Sequence, residues 1–129
     1  MAGLILDSMG TIKMQVLQKA MTDVQRINGL VEQLAANAKQ GKPSTSIMAS
    51  IKRYLTTMAA QLKAQFGMIS DAVTNVYISS SRGSNDQSRA RMLKEGVAAI
   101  KQAIEIGIAQ TKEKHAVHRE KPAPSASPE

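Results

Sequence analysis

Two histidines three residues apart, His115 and His118, are the groups in this sequence best spaced for chemistry. On a helix, an i, i+3 pair can direct two imidazoles at one metal ion. No cysteine and no third histidine completes a ligand set, and Lys114, Arg119 and Lys121 crowd the same stretch. The pair therefore reads as part of a basic helix terminus that interacts with the helix dipole, and no metal or other cofactor is expected. The ten acidic residues never fall three or four apart, so no helix face carries a carboxylate pair for general acid–base work. Ser81-Arg-Gly83-Ser-Asn-Asp86 has one glycine and none of the spacing of a phosphate-binding loop. Serine, histidine and acid nowhere form a recognisable nucleophile setting. An enzyme is not expected.

The elements that would position any site follow from composition and periodicity. Of 129 residues, 43% are apolar, with one Phe, two Tyr, no Trp, eight Met and no Cys. Disulfide scaffolds and thiolate metal sites are thereby excluded. Two polar stretches punctuate the chain: Lys39 to Ser46, containing Gly41 and Pro43, and Ser79 to Asp86, containing Gly83. Between them apolar residues recur in steps of three and four, the period of an amphipathic helix. The first segment carries Ile5, Met9, Ile12, Val16, Ala20, Val24, Ile27, Val31, Leu34 and Ala38, widened by Leu6, Leu17 and Met21. The second carries Ile51, Leu55, Met58, Leu62, Phe66, Ile69, Val73 and Val76, and the third Ala90, Leu93, Val97, Ile100, Ile104 and Ile108. The β-branched run Val73 to Ile78 stays in phase with its seam and is read as helix.

The expected fold is all-α: an elongated helical hairpin or coiled-coil-like three-helix bundle. One helical domain over 1–120 would hold helices at about 3–40, 46–80 and 86–116, followed by a disordered Pro/Ser/Ala tail at 121–129. Helices of about 35 residues run near 50 Å, so the bundle must be thin and its helices close. Small residues at Ala60 and Ala64, the row Ala99, Ala103 and Gly107, and Gly10, Gly29, Gly67 and Gly96 would permit close approach. Asp23 and Lys13 fall at the edge of the first stripe, where a snorkelling lysine accounts for them. Met14, Met68, Ile78, Met92 and Ile106 fall off the stripes, and a second apolar stripe on a long helix often marks a partner surface.

The candidate interaction seam comprises Leu55, Met58, Leu62, Phe66 and Ile69 with Leu93, Val97, Ile100 and Ile104. The formal charge is +7, and residues 41–82 hold five basic groups against one acidic. Lys52, Arg53, Arg91, Lys94 and Lys101 form a possible basic patch. Aromatic side chains for base stacking or membrane anchoring are scarce, and a solvated face explains the charge. The expected function is a non-enzymatic helical assembly protein that pairs with itself or with a partner helix. The alternative is a basic helical protein that binds nucleic acid or an anionic lipid surface. In outline the chain resembles the small helical-hairpin subunits of bacterial secretion, filament or phage assemblies, sharing their size, lack of cysteine, few aromatics and Ser/Pro-bearing turn. The Trp-x-Gly turn between helices is absent, so the likeness is one of architecture. The opening residues lack a basic n-region and a long apolar run. A cytoplasmic protein, or one exported without a cleaved signal peptide, is expected.

Overall fold

A computed structural model describes residues 6–116. Four helices follow in order: α1 (Ser8–Gln40), α2 (Thr45–Leu62), α3 (Gly67–Ser81) and α4 (Asp86–His115). The all-helical bundle is as the periodicity predicts. The count differs, because the helix expected over 46–80 is two helices folded back on each other. The expected tail, 121–129, and His118 lie outside the described residues.

The two ends of α1 and the start of α4 have local causes. Asp7 caps α1, its carboxylate accepting from Gly10 N at 2.7 Å. Gly41 ends α1 with φ 68°, and the amides of Gly41 and Lys42 donate back to Ala38 and Asn37. Pro43 follows, where no helix can continue. Asn85 caps α4, its side chain accepting from Ser88 N at 2.8 Å. Between α2 and α3 the sequence has no proline and no helix cap: Phe66 leaves the helical region (φ −140°, ψ 66°) without a side-chain cap. There Ser70 Oγ in the first turn of α3 donates to Ala59 O in α2 at 2.7 Å, which pins the reversal.

The helices pack in a ring. α1 lies against α4 and α2, and α3 lies against α2 and α4, so α1 and α3, like α2 and α4, are diagonal. Side-chain contacts join neighbouring helices. Arg26 in α1 donates to Tyr54 Oη in α2 at 3.4 Å, and Lys52 Nζ in α2 stands 6.0 Å from the Tyr77 ring in α3. All four helices feed one core, centred on Leu17, Val24, Ile27, Leu34, Leu55, Met58, Val73, Leu93, Val97 and Ile100. This explains the fold-back of residues 46–80. The α1–α4 pair has one wide apolar face, and covering it takes two helices rather than one.

The glycines and alanines divide. A Cβ on Gly10 would collide with His115 Cβ, and one on Gly96 would stand 2.6 Å from Val76 Cγ2, so both mark close helix approach. Gly29 and Gly67 have open space around the same point. Ala60, Ala64 and Ala99 are exposed, so of the small-residue rows only half-buried Ala103 and buried Gly107 sit within the packing. Among the described residues no helix is long and apolar enough to cross a membrane.

Candidate interaction surface

The seam residues are used inside the chain. Leu55, Met58, Leu62, Leu93, Val97, Ile100 and Ile104 are at most 1% exposed, Ile69 is buried, and Phe66 is half-buried in the α2–α3 turn. Any surface for a partner must be sought elsewhere.

The helix lengths show where. At 1.5 Å per residue, α1 (33 residues) and α4 (30 residues) run about 50 and 45 Å, against roughly 27 Å for α2 and 22 Å for α3. The short hairpin stops near Gly107, where a Cβ would lie 3.3 Å from Leu17 Cδ2 in α1 and 3.6 Å from Ile69 Cδ1 in α3. Above that level, among the described residues, α1 and α4 continue as a two-helix end. Gly10, Met14 and Thr111 are buried there, whereas Met9 is 45% and Ile12 is 47% exposed. This corrects the expected first stripe. Met14, placed off the stripe by the periodicity, turns toward α4, and Met9 and Ile12 are uncovered because the helices that cover their stripe lower down have ended. Met68 (88%) and Ile106 (52%) add apolar surface at the level where the hairpin stops.

The two-helix end is closed by a clasp. Asp7 N donates to His115 O at 2.9 Å, and Leu6 bridges to Ala116. His115 Nδ1 lies 3.1 Å from Asp7 Oδ1, and Lys13 Nζ lies 3.5 Å from Nε2. An ammonium only donates, so the tautomer that suits both contacts carries its proton on Nδ1. The amide of Gly10 holds the Asp7 carboxyl below its ordinary range; desolvation opposes it, and the His115 and Lys13 contacts each add a lesser lowering. Lys13 is therefore a clasp residue, half-buried, rather than a free snorkelling chain.

No family model, curated protein or solved structure matches this chain. Its functional reading rests on its own geometry.

The basic residues do not form one patch. Arg91, Lys94 and Lys101 are exposed on α4, whereas exposed Arg53 and half-buried Lys52 belong to α2, diagonally across the bundle. Lys52 instead shares a cleft at the base with Ser44, Met48, Ser81 and Arg89. Asp23 is 6% exposed, not at a stripe edge. Its Oδ2 makes no hydrogen bond, and its one ion pair, to Lys19, is long at 3.9 Å. Ser80 and Ser81, in the polar stretch after the second segment, close α3 by donating to Tyr77 O. Among the described residues no three His, Cys, Asp or Glu side chains group as a metal site.

Proposed function

We propose that this chain is a non-enzymatic helical assembly protein that self-associates through the free end of its α1–α4 pair. The observation that carries the reading is the uncovered stripe at Met9 and Ile12, with half-buried Val16 below them. Lower in the molecule the inner face of α1 and α4 is covered by two antiparallel helices. The free end of a second copy is itself such a pair. Two ends meeting across a two-fold axis rebuild the four-helix packing that the lower half already has, with the same residues contributed by each copy. The chain resembles in outline the small helical subunits of bacterial secretion, filament or phage assemblies, and such a role fits it whether in the cytoplasm or after export without a cleaved signal peptide. Light scattering after gel filtration tests it: the mass should exceed 13.9 kDa, and a monomer at high concentration removes the reading.

The row Arg91, Lys94 and Lys101 on one exposed flank of α4 favours a second reading, in which this flank meets a polyanion such as nucleic acid or an anionic lipid surface. Lys52 and Arg53 add nothing to that flank. Duplex DNA polarisation at two salt concentrations, together with vesicle flotation, tests it; no binding at low salt ends it.

A further inference from the structure

A cleft of about 450 Å³ runs along the outside of the bundle, lined by α1 and α4 alone. It extends from Asn28 to Lys39 on α1, about 16 Å or three helical turns. Its floor is Val31 and Ala90, both buried, with half-buried Ala35. The space exists because Ala35 and Ala90 are short where two facing helices ordinarily place larger side chains. Lys39, Arg91 and Lys94 stand on the rim, with Glu32 as the one opposing charge. None of these three cations makes an ion pair among the described residues, whose Lys and Arg pairs are Lys19–Asp23 and Arg89–Asp86.

We infer that this cleft docks an acidic amphipathic helix of a partner protein. The shape and the charge argue for the same occupant. Two antiparallel helical walls with a narrow apolar floor accept a third helix lengthwise, which sets apolar side chains at i, i+3 or i+4, and i+7 into the floor. An unneutralised rim of net charge +2 calls for Asp and Glu on the flanks of that helix, and it disfavours a basic one. The inference rests on the reading of the chain as an interaction protein, but it uses a surface about half the molecule away from the free end, so the two can fail separately.

The test uses the full chain and a fluorescein-labelled peptide of roughly 16 residues, with Leu at the i, i+4, i+7 positions, Glu on the two flanks of that stripe and Ala elsewhere to favour the helix. A second peptide carries Lys in place of every Glu. Fluorescence anisotropy should show binding of the Glu peptide alone, weakened about tenfold or more by Arg91→Glu with Lys94→Glu and by raised salt. Both substitutions are at exposed positions, so helicity and light-scattering mass should not change. Ala35→Phe fills the floor and should also weaken binding. Equal affinity for the Lys peptide, or affinity unmoved by the charge reversals, overturns the inference. So does duplex DNA or an anionic vesicle that binds through Arg91 and Lys94 while the peptide does not. A monomeric chain that binds the peptide keeps this inference and loses self-association; an oligomer that ignores the peptide does the reverse.

Discussion

Val76 occupies the space that any side chain at position 96 would need: a Cβ on Gly96 would lie 2.6 Å from Val76 Cγ2 and 3.0 Å from its Cγ1. This contact joins α3 to α4 and helps seat the α2–α3 hairpin on the longer pair. Val76 is β-branched and stiff, so it cannot swing aside cheaply. Gly96→Ala gains about 0.5–1 kcal/mol of helix propensity but overpacks the contact, at a cost of about 1–3 kcal/mol. The net change should be destabilising by roughly 1 kcal/mol. Gly29, with open space around its Cβ position, is the internal control: Gly29→Ala should stabilise by about 0.5–1 kcal/mol. Urea unfolding of both variants checks the pair, and the same sign for both would contradict the packing described.

Asp23 should be a liability to stability. It is buried, one carboxylate oxygen has no hydrogen bond, and its partner Lys19 is exposed and 3.9 Å away. A distant, half-solvated pair contributes little, whereas a buried polar atom without a partner costs about 1–3 kcal/mol. Asp23→Leu, similar in size, should therefore raise stability by about 1 kcal/mol. A fall in the thermal midpoint would show that the carboxylate does more than the geometry indicates.

Acid should loosen the clasp. The folded-state carboxyl of Asp7 titrates below its ordinary value, so its contribution is present above the unfolded value near 3.9 and is lost as pH falls through the lower folded value. Asp7→Asn keeps an N-cap side chain and removes only the charge. The wild type should exceed this variant in thermal midpoint at pH 5–7, and the two should converge as pH falls below the ordinary carboxyl range. A gap that does not change with pH would mean that the charge of Asp7 is not what the clasp uses.

Much of this architecture was legible in the spacing of apolar residues, and what was not has physical reasons. Leu55, Met58, Leu62, Leu93, Val97, Ile100 and Ile104 stand in the core at their expected register, because one strong stripe on a long helix has one place to go. The break after Leu62 was hidden because the turn at Lys63–Phe66 preserves the phase of the seam: Leu62, Phe66 and Ile69 keep helical steps through it. Gly67 was a local sign, but its cause is tertiary, the need for two helices over the α1–α4 face. Met9 and Ile12 belong to the stripe by spacing yet lie half exposed, since periodicity reports which way a residue faces and not whether another helix reaches that far. The clasp joins residues 108 apart in sequence, and no local pattern reports such a pairing. The groove at Ala35 and Ala90 was equally hidden, because short side chains look the same whether a helix covers them or not.

Core and end should respond differently to a buried charge. Leu62 is fully buried, and Leu62→Asp places an unpaired carboxylate among apolar side chains, a change in the class that costs more than about 4 kcal/mol. Circular dichroism should show helicity lost and the thermal midpoint collapsed. If helicity survives, the packing of α2 differs from that described.

The central claim, that the uncovered end of α1 is where copies meet, is tested most directly by light scattering on Met9→Asp with Ile12→Asp beside the wild type. Both residues are about half exposed, so the double variant should keep its helicity. The prediction is a wild-type mass of at least two chains and a variant mass of one chain, 13.9 kDa. A wild type that is already monomeric, or a variant that keeps the wild-type mass, would contradict the claim.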